Sequence, residues 1–473
     1  MSRGWRCRIG CCVLCLIKIS VLNAGAQDPQ KQKLDREYQA AVADYEGGRY
    51  AQASDELQHL LPYAPRSYEL HELLGMVDVA LGESDQAVKE LKTAVQIKPE
   101  LAEARVNLGV TLVHARQATA AEEQFRKASL LDAGNYDAPH NLGELLVQRG
   151  KIAEAQPCLE RAWQIHPASY DNAYDLAMAD FMLGKLDEAR LVVSGLVKLK
   201  DTGELRNLLG QIDEKDGKYV DAANDYEAAA HLDPSEDNIF NWGSEMLLHR
   251  TYEPAITIFE DGVARYPRSP RMQIGMGLAY YSRGKYDDAI KALITAADLN
   301  PTDPRCYVFL SKAYNSSPLQ ADEVTQRFKR YAELEPGNPL AQYYYAVSLW
   351  KGRRVEDPGT DPATVEGLLR RAIELDDSLA EAHVQLGDLY ADERKYKESI
   401  PQYVRALELD PNLADAYYRL GTDFVHTGEK DKAQKEFAIY QKVRAEHLAE
   451  AEKERAEVQQ FVYSEKSESA SRP

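Results

Sequence analysis

The chain has few of the residues that cross-link a fold, cross a membrane or hold a nucleic acid. Only six of its 473 residues are cysteine, and four of those (Cys7, Cys11, Cys12 and Cys15) lie close to the N-terminus. The other two, Cys158 and Cys306, are far apart and fit neither a zinc nor a redox spacing. A disulfide framework is therefore excluded, and both thiols are expected to behave as small buried apolar groups. Long apolar runs are missing beyond Ile9–Ile17, which is too short to span a bilayer and is followed by Lys18. Basic residues are outnumbered, 57 Lys and Arg against 76 Asp and Glu, for a net charge of −19. That balance argues against nucleic acid and anionic lipid as partners, because both need a basic patch.

Catalytic signatures are missing too. There is no phosphate-binding Walker loop, no GxSxG elbow and no HExxH. None of the ten histidines has another four residues on, so no metal site is expected. Gly275-Met276-Gly277 reads as helix packing, and the many carboxylates read as solvated faces and caps. No catalytic residue, metal or cofactor is assigned.

What is present begins with a leader. Arg3, Arg6 and Arg8 precede the apolar Ile9–Ile17, and Ala24–Ala26 supplies small residues before Gln27. This is the secretory pattern, so residues 1–26 are expected to be a signal peptide cleaved after Ala26. Cleavage would remove four positive residues and no acids, taking the net charge from −19 to −23. The short signal and the lack of an ER-retention tail suit a bacterial chain, periplasmic or secreted. The Asn315–Ser317 sequon would matter only in a eukaryotic host.

Beyond the leader one phrase keeps returning. RALELDPNLADAYYRLG (Arg405–Gly421) is nearly RAIELDDSLAEAHVQLG (Arg371–Gly387), and both resemble TAVQIKPELAEARVNLG (Thr93–Gly109). Gly75, Gly109, Gly143, Ala177 and Gly210 follow at intervals of 33 or 34, and Gly243, Gly277, Gly387 and Gly421 continue the series. A second small-residue series runs through Ala87, Ala121, Ala155, Ala189 and Ala222, and a third places prolines at 65, 99, 167, 234, 267, 301, 336 and 411. His383, Leu386, Gly387 and Tyr390 share one face of a first helix, and Ser399, Tyr403 and Ala406 form a stripe on a second. Glycine costs a helix stability, so a recurring one marks close helix–helix approach. Proline ends the second helix, having no N–H and biasing its predecessor away from αR. Glu103, Asp137, Asp171 and Asp415 then sit in a first turn, where the helix dipole favours acids. Such a unit buries both faces only by stacking on its neighbours.

The unit resembles the tetratricopeptide repeat. Asn141–Pro167 and Gly275–Pro301 match its Leu-Gly, aromatic, Ala, Phe/Tyr, Ala and Pro pattern nearly throughout. About twelve units run from Leu34 to about Ala445. The implied fold is all-α, a right-handed superhelical solenoid of helix-turn-helix units. The expected layout is leader 1–26, a short segment 27–33, the array 34–447, and a C-terminal helix extension with a disordered tail at 448–473. Departures are Ala40-Ala41 in place of the first Leu-Gly, NSSPLQAD (Asn315–Asp322) at one inter-helix turn, and an insertion at 352–363 that reads as a loop.

The resemblance also implies where function lies: a concave groove lined by first helices, in which an extended or helical segment of another protein is held. The residue before the Leu is Asn107, Asn141, Asp175, Asn241 and Gln385 in five units and Arg419 in the last. An amide offers donors and an acceptor, so a row of them can hold a peptide backbone whatever its side chains. This partly resembles the asparagine ladder of the O-linked N-acetylglucosamine transferase repeats, although Leu208, Gly275 and Leu310 interrupt the run. Tyr174, Phe240, Tyr281 and Tyr418 supply stiff contact surface nearby. The bland alternative is that all ten are ordinary exposed or packing residues. Two other functions are a structural cell-envelope component working through outer surfaces and a carbohydrate binder using the tyrosines.

Overall fold

The structure is a computed structural model that describes residues 29–317, 320–352 and 361–449. The leader, most of the 352–363 insertion and the tail from 450 onward lie outside the described residues, so the expectations placed on them are not addressed by it. The described residues form 24 helices and no strand.

They fall into two compact units, divided between Asp233 and Pro234. In unit 1 the first three hairpins are α1 (Pro29–Glu46) with α2 (Tyr50–Leu60), α3 (Tyr68–Leu81) with α4 (Ser84–Ile97), and α5 (Ala102–His114) with α6 (Ala118–Leu131). The next three are α7 (Asp137–Gln148) with α8 (Ile152–Ile165), α9 (Tyr170–Met182) with α10 (Leu186–Leu199), and α11 (Gly203–Lys215) with α12 (Tyr219–Leu232). Unit 2 opens with α13 (Glu236–Leu248) and α14 (Tyr252–Arg265), α15 (Pro270–Ser282) and α16 (Tyr286–Leu299), and α17 (Pro304–Ser316) and α18 (Ala321–Leu334). It closes with α19 (Pro339–Gly352) and α20 (Pro362–Leu375), α21 (Ala380–Asp392) and α22 (Tyr396–Leu409), and α23 (Ala414–Thr427) and α24 (residues 430–449). The first helix starts at Pro29, five residues ahead of the expected array boundary.

Each hairpin closes on the small residues picked out by the repeat. At Gly109 a Cβ would sit 2.5 Å from the Phe125 ring, and at Gly387 one would sit 2.7 Å from the Tyr403 ring. Bare backbone on the first helix is what lets the large side chain of the second lie flat against it. Ala121, Ala155, Ala189 and Ala222 are fully buried on the second helices. Within each unit the hairpins stack on one another, and the larger apolar clusters span several hairpins. One runs from Tyr68 to Ile212 in unit 1, and another from Ile274 to Tyr344 in unit 2. Polar ties span one repeat: the Tyr136 and Ser169 hydroxyls lie 2.7 Å apart, and Ser269 donates to Glu236 at 2.6 Å.

The irregular units are repacked rather than broken. Where the fourth-from-last hairpin lacks the usual Gly and Ala, Ser311 and Val324 are buried in their stead, and Tyr307 stacks on Tyr331 at 4.0 Å. Leu208, which interrupts the amide row, is buried in the core; Leu310 is buried too, but with Ser311 in the glycine's place it holds the Leu position, and half-buried Phe309 is what stands in the row. Cys306 is fully buried as expected, whereas Cys158 is only half-buried; both thiols are free.

Candidate partner-binding groove

Most second helices stop at a proline; α22, for example, ends at Leu409, just before Pro411. In the last unit Ala445 stands 34 residues after Pro411, and nothing halts the helix: α24 runs on through 449. α24 carries Tyr440, Arg444 and, in the overrun, His447 alongside the first helices α19, α21 and α23. Together they enclose a cavity of about 690 Å³, whose lining includes Tyr343, Glu381, Gln385, Asp415 and Arg419.

Within it the charges are partly committed. Arg419 pairs with Asp388, which also accepts the Tyr403 hydroxyl at 2.7 Å. Burial pushes the Asp388 carboxyl up, and Arg419 and Tyr403 pull it back. The Arg419 side chain is thus anchored, yet it remains 44% exposed. Arg444 donates to the Tyr440 hydroxyl at 3.1 Å. Burial holds the Tyr343 phenol above its ordinary range, and its hydroxyl is a hydrogen-bond donor at neutral pH as any tyrosine's is. A peptide entering here would meet cationic donors, carboxylate acceptors and two aromatic walls.

The other positions expected from the sequence are spread along the two units. In unit 1 the Asn107 amide is already engaged, donating to Glu72 Oε1 at 3.0 Å across one repeat. Glu72 also accepts from the Tyr68 hydroxyl; burial raises its carboxyl, and both bonds oppose that. Asn141 donates at 2.7 Å to the Asp137 carbonyl of its own helix. Asp175 is half-buried and meets like charge instead: burial first, then Glu144 and Asp171, pushes it up to about 7. Tyr174 stacks on Tyr170 at 6.3 Å.

In unit 2 Asn241 is half-buried on α13. Phe240 beside it packs edge-on to Phe259, and the Arg271 guanidinium lies 3.8 Å above its ring. Tyr281 packs against Tyr286 at its hairpin turn, and Tyr418 against Phe437 and Tyr440. Of the ten, Gln385 and Arg419 line this cavity together, and none of the other eight is among its lining residues. Reasoning from the Leu-Gly register missed Tyr343, Tyr440, Arg444 and His447. Tyr440 and Arg444 fall at or next to the regular end of a second helix, and only His447 lies beyond Ala445.

Profiles described as tetratricopeptide or TPR repeat match residues 73–138, 146–212, 277–315 and 387–422. The chain carries tetratricopeptide repeats. Such repeats support a protein–protein interaction scaffold. No curated protein matches this tetratricopeptide chain by sequence. Among solved structures it is similar to a chain of "Structure of Naa15/Naa10 bound to HypK-THB". That pair is 15% identical, covers 86% of this chain and 68% of that one, and has a TM-score of 0.40. It is also similar to "Crystal structure of MamA", at 20% identity over 37% of this chain and 97% of that one, with a TM-score of 0.30. Among the described residues no helix is long and apolar enough to cross a membrane, and no group of His, Cys, Asp and Glu is placed to hold a metal ion.

Proposed function

We propose that the chain is an exported scaffold that captures an extended or helical segment of a partner protein along the first-helix side of its repeats. The cavity at α19, α21, α23 and α24 is the strongest anchor point in that reading. It carries the argument because two residues chosen from repeat register alone, Gln385 and Arg419, line it together. Both can donate hydrogen bonds to backbone carbonyls of a bound segment, and Tyr343 and Tyr440 offer stiff surface for its side chains. In unit 1 Asn107, Asn141 and Asp175 would contribute only where a ligand replaces their present partners.

The test is partner capture in the native compartment by cross-linking, followed by identification of the captured segment. Replacing Gln385 and Arg419 together with Ala should lower capture about tenfold or more, in line with the loss of central polar anchors, while helicity stays intact. Capture unchanged in that variant would remove the groove reading. Export is tested separately by sequencing the native N-terminus: Gln27 is expected, and Met1 would overturn it.

A further inference from the structure

A second cavity lies in unit 1, on the second-helix side, and owes its existence to one missing side chain. Twenty residues after the Leu-Gly glycine (or its Ala equivalent) lies a position on each second helix whose residue type varies along the array. In unit 1 the residues there are Val95, Ser129, Trp163, Val197 and Ala230. Only Ser129 is polar, and its hydroxyl oxygen is buried without a hydrogen-bond partner among the described residues. The space an apolar side chain would fill is a cleft of about 320 Å³ between α6, α7 and α8. Its lining includes Leu130, Leu142, Pro157 and Cys158, with Arg126 and Arg161 among the charged members.

The next position is as unusual. Its counterparts in unit 1 are Gln96, Gln164, Lys198 and His231, all suited to water, whereas here stands Leu130, 85% exposed. An isolated exposed leucine means little, but one beside an unfilled apolar cleft makes a continuous surface. The electrostatics are specific as well. Arg126 is neutralised by Glu122 and Glu154. Arg161 donates only to main-chain carbonyls, Ser129 O at 3.4 Å and Ala133 O at 3.2 Å. No carboxylate among the described residues pairs with it, in a chain of net charge −19. Burial raises the Cys158 thiol, so at neutral pH it is mainly the protonated, apolar form that lines the cleft.

We propose that this cleft is a docking site, independent of the groove in unit 2, for a partner segment that inserts an apolar side chain over Ser129 and sets a carboxylate on Arg161. The apolar cleft selects the anchor, and the uncompensated guanidinium selects an adjacent Asp or Glu over Lys.

The chemistry is testable on the full chain with 4-phenylbutanoate as probe, and with its amide and the corresponding amine as controls. Peptide-resolved iodoacetamide labelling of Cys158 at about pH 9, where the thiolate is populated, reports occupancy, and the same peptide labelled in the urea-denatured chain serves as the reference. The acid should protect Cys158 saturably, with a dissociation constant on the order of 1 mM. Ser129→Leu, which restores the plug used elsewhere, should abolish protection, and Arg161→Gln should weaken it roughly tenfold. Gln385→Ala with Arg419→Ala should leave it unchanged. Protection absent at roughly ten times that concentration, or equal for acid and amine, would overturn the proposal. So would protection that survives in Ser129→Leu. A chain dimer that Ser129→Leu dissolves would assign the cleft to a second copy and equally overturn it.

Discussion

Gly109 and Gly195 both lie inside helices of unit 1, yet a methyl group added to each should act in opposite directions. At Gly109 the new Cβ would sit 2.5 Å from Phe125, a ring held in the core. Gly109→Ala should therefore cost about 1–3 kcal/mol through overpacking. At Gly195 nothing lies within 4 Å, so Ala only restores helix propensity and should add about 0.5–1 kcal/mol. Shifts of the urea midpoint in opposite senses check the pair. Asp175 supplies a pH test. Its folded-state carboxyl is pushed up to about 7, above the unfolded value near 4, so the folded chain holds the extra proton between those values. Its effect is to lower stability as pH rises from about 4 to about 7 and to leave it level above that. Asp175→Asn should be more stable than the parent at pH 8 by on the order of 1 kcal/mol, after allowance for solvent screening, and equal to it at pH 4. A variant no more stable at pH 8 would show that Asp175 is not crowded by Glu144 and Asp171. At this scale the repeating Gly, Ala and Pro were legible because each answers a steric demand that recurs. Asn107 was legible as a position but not as a bond, since its partner Glu72 belongs to the previous repeat.

The helices themselves are joined by turns that also repeat, and here the chain breaks its own rule. Seven residues after the Leu-Gly glycine the backbone turns left-handed: Gly82, Gly150, Gly184, Gly217, Gly284 and Gly428 all have positive φ. Arg116, Arg250 and Arg394 occupy the same place with φ of 57°, 59° and 61°. A side chain there costs roughly 1–2 kcal/mol relative to glycine. Arg116→Gly should raise the thermal midpoint, by about 1 kcal/mol of stability once the entropy of the freer unfolded chain is subtracted. Loss of stability instead would mean that the Arg116 side chain makes contacts worth more than its backbone strain. Element boundaries were readable from the same marks, prolines at the ends and acids in first turns. The overrun of α24 was not readable from Ala445, because Ala133 holds the same slot after α6 and that helix still ends at Leu131. The Ser129 cleft was not readable from a single unit: a serine on a helix is unremarkable until its counterparts are Val, Trp and Val.

For the whole molecule the repeat count and the all-helical class follow from period alone. The division at residue 233 does not, because both halves are written in the same words. Unit 1 and unit 2 each contain their own buried clusters. Stability in such arrays is the sum of hairpins and nearest-neighbour interfaces, so damage should stay near its origin. Leu159 is fully buried on α8 and packs onto Gly143. Leu159→Ala should cost about 2–5 kcal/mol and should accelerate hydrogen exchange in α7, α8 and their neighbours. Exchange in α15 to α18 should stay at parent rates. Uniform acceleration across both units would show that the chain unfolds as one cooperative body, against the usual behaviour of long repeat arrays.

The overrunning last helix bears on how such a protein can lengthen. Arrays grow when a hairpin is copied and the copy stacks on its template, which requires the template to turn at the right residue and to offer an apolar contact. α24 offers neither: it runs past the turn, and Gln441 stands exposed where Val95 and Val197 present carbon to their neighbours. A thirteenth hairpin grafted onto α24 would bury that amide and displace Arg444 from the cavity. Gln441→Val with Ala445→Pro is the smallest change that would make this end extensible, and it would dismantle the wall of the groove in the same stroke.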